Sequence, residues 1–185
     1  MIYHFNTLFS GTSIGKYYNE CCRIVPAGNW ICLWDADVLT FTTFANYNKY
    51  LEEKIAEYPE IRLFSCLTNR VTNSNQRYWP ILDATTDIII HRERAEQLWN
   101  EIPDMTRRVN GKIAGFMMLF RKETWEEIGG FSEQGIAAVD TDFSLRCNER
   151  YGETVILCGM YVFHYFRLLE ECSARHIYAG ERGEL

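Results

Sequence analysis

In Trp30-Ile31-Cys32-Leu33-Trp34-Asp35-Ala36-Asp37, five apolar residues run straight into two carboxylates. Nothing in the run alternates, which suits a central strand covered on both faces rather than a strand with one wet side. Its end places Asp35 and Asp37 at a strand's carboxyl edge, where open α/β sheets bind their ligands. Upstream, Ser13 can cap a helix in which Ile14, Tyr17, Tyr18, Cys21 and Cys22 share one face, closed before Pro26 and Gly28. Downstream, Leu51, Ile55 and Tyr58 mark one face of a helix over 44–58 that Pro59 ends.

Further out the alternation continues. Residues 2–5 read as a short strand, 6–13 as a loop, and 61–67 as another strand. Residues 68–87, rich in Asn, Thr, Ser and Arg around Tyr78-Trp79-Pro80, read as a functional loop or flap. A strand at 87–90, a helix at 93–101 and a buried strand at 115–120 follow. A short helix at 122–128 is closed by Gly129-Gly130, and a loop through Asp140 leads to a helix over 143–151. A last strand, 155–163, ends at His164. Strands alternating with helices predict an α/β fold with a mixed, largely parallel sheet flanked by helices. One domain over 1–172 is expected, with a loosely held tail at 173–185.

At 185 residues, 47% hydrophobic and 24% charged, the chain has the makeup of one domain with a full core. Its net charge of −6 lacks the clustered Lys and Arg that counterion release requires, so nucleic acid is not an expected partner. No run of about 18 apolar residues is present, and Met1-Ile2-Tyr3-His4-Phe5 lacks the basic start and apolar stretch of a signal peptide. A cytoplasmic protein without a transmembrane segment is expected. The seven cysteines are odd in number and several lie inside apolar runs, which reads as buried free thiols; adjacent Cys21-Cys22 has no CxxC partner.

Two carboxylates at spacing two can face one point, and their repulsion is relieved by a divalent cation. The same pair can instead cap a helix or form a turn. His164 stands at a strand's carboxyl edge, where an imidazole completes a metal site or is a satisfied strand-end residue. Asp140 and Asp142 approach the next helix; Asp142 suits the cap and Asp140 the reactive role.

Several segments follow one another in a specific order: Ile14-Gly15-Lys16-Tyr17-Tyr18-Asn19, Asn29 through Asp37, Gly115-Phe116-Met117-Met118-Leu119-Phe120-Arg121, Trp125 through Phe131, and Asp140-Thr141-Asp142-Phe143-Ser144-Leu145-Arg146. Together they resemble the family 2 glycosyltransferases with the GT-A fold, a Rossmann-like fold of nucleotide-diphospho-sugar transferases. The closing Val162-Phe163-His164-Tyr165-Phe166-Arg167 is similar to the His-containing end of the polypeptide N-acetylgalactosaminyltransferases. The resemblance covers Ile14 to Arg167. It implies a UDP- or GDP-sugar donor, a glycan or other hydroxyl acceptor, and Mn2+ or Mg2+ bridging the donor phosphates. Asp35 would approach the ribose, or the metal through water. Asp37 would bind the metal directly, and His164 would lean the preference toward manganese. Asp140 would be the general base of an inverting transfer. Gly115, Asp140, Asp142, Tyr78 and Trp79 would lie on the acceptor side. Asn6, Thr7, Lys16, Asn19 and Asp35-Ala36-Asp37 would hold the nucleotide sugar.

Two departures stand out. Val139 occupies the place of the family's usual acidic neighbour of the base. Only 34 residues precede Asp35, which abbreviates the nucleotide-base pocket. Asn6 and Thr7 substitute for it, the base is held loosely, or a partner chain completes it. Missing strands would leave an open sheet edge, so a homodimer is an expected form. Two rival readings are a nucleotidyltransferase, though the spacing of Gly11 through Lys16 fails the P-loop pattern, and a sugar-nucleotide- or glycan-binding protein without turnover.

Overall fold

The computed structural model describes residues 1–7, 13–78, 83, 85–134 and 138–165. Strand β1 (Ile2–Thr7) leads to helix α1 (Ile14–Arg23), whose cap Ser13 accepts from the Lys16 N–H. Strand β2 (Trp30–Asp35) is buried from Trp30 to Trp34, as its unbroken apolar run requires. The chain continues through β3 (Val38–Leu39), α2 (Phe44–Glu57), β4 (Leu63–Thr68), α3 (Ile88–Glu101), β5 (Thr106–Val109), β6 (Met117–Arg121), α4 (Lys122–Glu127), α5 (Val139–Tyr151) and β7 (Thr154–His164).

The strands form one sheet in the order β1-β2-β6-β4-β7-β3, with β5 also paired to β7. β1–β2 and β4–β7 are parallel, whereas β2–β6, β4–β6, β3–β7 and β5–β7 are antiparallel. The sheet is thus mixed, but it is not largely parallel: an apolar run reports burial on both faces and carries no strand direction. Each face has its own apolar cluster. Ile31, Leu33, Met118 and Phe120 pack with Tyr18 of α1 and Phe143 of α5, while Trp30, Cys32, Trp34 and Leu119 pack with Tyr47, Tyr50 and Leu51 of α2. The six cysteines among the described residues are buried and free.

Two local readings change. Residues 87–90 are not a strand. Asp87 caps α3 by accepting from the Ile89 N–H, and the buried face is His91, Ala95 and Leu98, while Ile89 and Ile90 are exposed. Three consecutive isoleucines mimic a strand because side-chain branching says nothing about which face is covered. Likewise α5 begins at Val139, so Asp140 and Asp142 both lie in its first turn, where carboxylates complement the helix dipole. The proposed tail at 173–185 and Trp79 lie outside the described residues.

Asn19, an expected nucleotide contact, makes structural hydrogen bonds. Its amide nitrogen donates to the Phe131 carbonyl (3.0 Å) and to Glu133 (2.9 Å). Its oxygen accepts from Trp125 Nε1 (2.8 Å) and the Phe131 N–H (2.9 Å). All four hydrogen-bonding positions of the amide are taken. They tie α1 to the turn at Gly129 and Gly130, both with positive φ. Asn19→Ala orphans the Phe131 peptide groups and the Trp125 N–H; urea unfolding should show a loss of about 2–4 kcal/mol.

Candidate functional site

β2 and β7 both end on the same side of the sheet, and the two-residue β3 stitches their ends together. Val38 pairs with His164, and the Tyr165 N–H donates to the Asp37 carbonyl at 3.0 Å. This pairing brings His164 Nε2 to 3.2 Å from Asp37 Oδ1 and 3.9 Å from Asp35 Oδ2. One ligand atom from each of the three residues lies within 4.8 Å of the others. Two oxygens or nitrogens bound at right angles, each about 2.1 Å from a small divalent ion, are about 3 Å apart. Asp35, Asp37 and His164 can therefore hold a metal ion.

The imidazole is oriented from behind. His164 Nδ1 lies 3.2 Å from the Arg70 carbonyl, which can only accept, so Nδ1 donates there and Nε2 points at the carboxylates. The His164 N–H donates to Asn69 Oδ1 (2.8 Å), which also accepts from the Thr68 hydroxyl (3.0 Å). Phe116 tilts against the ring at 5.4 Å. Exposure is graded across the site: the side chains of His164, Asp35 and Asp37 are 5%, 29% and 45% exposed. The histidine forms the floor and Asp37 the mouth.

Asp35 is held by more than its neighbours in the triad. The Tyr18 hydroxyl donates to Oδ1 at 3.2 Å, while the Thr7 hydroxyl donates to the Trp34 carbonyl at 2.7 Å and lies 3.5 Å from the same Oδ1. Burial pushes the Asp35 carboxyl above its ordinary value. His164 opposes that rise, Asp37 adds to it, the Tyr18 hydrogen bond opposes it and Asp140 adds to it. Burial and the Asp35 charge push the Tyr18 phenol up, which keeps it a neutral donor. Read from periodicity alone, Tyr18 is an ordinary core residue of α1. Only its hydroxyl, on an otherwise apolar face, could have signalled this contact.

Asp140 stands close enough to influence both Asp35 and Tyr18 electrostatically. One oxygen accepts from the Gly115 N–H at 2.7 Å and the other from the Thr141 N–H at 2.8 Å. Gly115 is required for this approach, because a Cβ there would sit 2.7 Å from the Asp140 Cβ. The carboxylate also borders a cavity of about 220 Å3 lined by Thr72, Asn73, Lys112 and Thr141. The other expected residues are dispersed. Asp142 is bound by Arg146, which also reaches the Ile128 and Gly130 carbonyls. Lys16 is exposed on α1, Asn6 is exposed at the end of β1, and Ala36 lies in the turn between the two aspartates. Tyr78 packs under Arg94, whose guanidinium lies 4.4 Å from its ring.

No protein-family model matches this chain, and no curated protein matches it.

A divalent ion binding only the folded chain raises stability by about 2.7 kcal/mol at a hundred-fold excess over Kd, or roughly 5–10 °C in Tm at this size. Mn2+ should give such a shift, and Asp37→Asn should remove most of it. The pH dependence follows from the sign of the Asp35 shift. Below about 3.9, the usual aspartate value, Asp35 is protonated in both states and its burial carries no charge penalty. As pH rises from there through its raised folded value, the unfolded chain ionises first and the metal-free fold loses stability. Thermal melts across that window should show the Mn2+ shift growing as pH rises; a shift that shrinks contradicts this site.

Proposed function

We propose that the protein is a metal-dependent glycosyltransferase, moving a sugar from a nucleotide-diphosphate sugar to an acceptor hydroxyl with inversion. The observation that carries the reading is the meeting of Asp35, Asp37 and His164 at the ends of two strands, with Asp140 at the N-terminus of α5 beside them. A GT-A arrangement of the α/β sheet and a cytoplasmic setting are part of the same proposal. A carboxylate–imidazole donor set suits Mn2+, with Mg2+ the alternative, and open coordination positions suit diphosphate oxygens. Bound there, the cation would offset the negative charge that develops on the departing diphosphate.

The residues divide the remaining work. Asp37 and His164 hold the ion, and Tyr18 orients the Asp35 carboxylate. Asp140 accepts the proton of the acceptor hydroxyl as its oxygen forms the new bond to the anomeric carbon. The bond from that carbon to the diphosphate breaks at the same time, and the nucleoside diphosphate leaves with the electron pair. The cavity beside Asp140, with Thr72, Asn73 and Lys112 in its wall, provides space for the acceptor.

A second reading, binding of a sugar nucleotide without turnover, is favoured by one observation: both Asp140 oxygens already accept backbone N–H groups. Hydrolysis of the donor separates the two readings. Incubated with UDP- and GDP-sugars and Mn2+, the protein should release nucleoside diphosphate slowly, and EDTA should stop release until Mn2+ is restored. Asp140→Asn should lower transfer at least a hundred-fold, the scale of general-base catalysis, while donor affinity stays within a few-fold. A near-normal rate in this variant would remove Asp140 from the mechanism.

A further inference from the structure

Between α2 and α3 lies a cavity of about 230 Å3, walled by Phe41, Tyr47, Trp99 and Tyr161, with Glu96 and Asn100 exposed at its rim. Its walls are locked in place. The Tyr47 hydroxyl accepts from the Phe41 N–H (3.3 Å), and Trp99 stands edge-on to Tyr47 at 6.0 Å and 82°. The Tyr161 hydroxyl is held by His91 Nδ1 (2.7 Å) and Arg94 (3.3 Å). His91 Nε2 meets the Thr85 carbonyl at 2.8 Å, which can only accept. Nε2 therefore donates there, and Nδ1 is left to receive the Tyr161 hydrogen bond. Asp83 in turn anchors Arg94 at 2.6 Å.

The rim is not committed in this way. Among the described residues, the Asn100 amide makes no side-chain hydrogen bond, and Glu96 has a loose, exposed 3.8 Å contact with Arg92. Tyr47 and Tyr161 are buried behind the wall, so the aromatic surface open to a ligand is that of half-buried Phe41 and Trp99. Beside one carboxylate and one amide, it suits a ring whose C–H face packs on the aromatics and whose hydroxyls meet the polar groups. No Lys or Arg is among its described lining residues, which disfavours phosphate.

We propose that this cavity binds one ring of a neutral carbohydrate, independently of metal and nucleotide. Phe41 is four residues from Asp37 and Tyr161 three from His164, so these walls lie within about 14 Å and 11 Å of the metal ligands along the backbone. A short oligosaccharide can bridge that gap. As an anchor for a remote ring of the acceptor, the cavity's role rests on the transferase reading; its binding of sugar does not.

Calorimetric titration of the full chain with chitotriose, cellotriose and maltotriose, without metal, tests the binding. Saturable binding of at least one is expected, weakened ten-fold or more by Asn100→Ala and by Glu96→Gln, both on exposed positions, and unchanged by Asp37→Asn. Absence of saturable binding, insensitivity to both rim substitutions, or tighter binding of tetramethylammonium than of any of the three sugars overturns the proposal. Sugar binding without donor turnover leaves the cavity standing and sinks the transferase; turnover without sugar binding does the reverse.

Discussion

All eleven residues of β7 are buried, and a buried strand must find partners for its peptide groups along its length. β4 runs along one edge. On the other, β5 serves the first part and β3 the last, so this edge changes partner midway. The change coincides with a bulge: the β4 partners jump from Leu157 to Tyr161 between adjacent residues Cys66 and Leu67. Gly159 lies inside that jump, and a Cβ there would come within 2.6 Å of the Pro103 Cα. The requirement to satisfy one long strand thus sets the sheet's order and carries His164 past the core to meet Asp37.

How much of this was legible depends on what kind of signal each element leaves. β2 was plain because five apolar residues and an abrupt acidic end leave one reading. β3 was invisible, since Val38 and Leu39 are too few to show any period. β5 was missed for another reason: Thr106, Arg107, Arg108 and Val109 look like loop, and only Val109 is buried. Arg107 and Arg108 reach outward, to the Asn75 carbonyl and to Glu60 and Glu153. Strand direction left no trace at all, because inter-strand hydrogen bonds are made by backbone groups common to every residue.

The site shows the same division. Asp35, Asp37 and His164 were legible because each is polar at the end of an apolar run. Tyr18, Asn69 and the Arg70 carbonyl were not, because their contributions are a hydroxyl on a helix face, a loop amide and a backbone oxygen. The partners of Asn19 were not legible because an asparagine's partners depend on which turn packs against it. Supporting groups of this kind are conferred by the fold, whereas ligands carry their chemistry in the residue type.

Asp37 and His164 are joined through β3, which has only two residues and pairs with a single neighbour. Parting them breaks that short ladder and the Tyr165–Asp37 bond, and loosens Val38 at the margin of one apolar cluster while the buried members of both stay packed. Local opening at a strand end costs far less than global unfolding. An ion held there would thus have a route of release through fraying at Val38 and Leu39, in a molecule whose core stays closed.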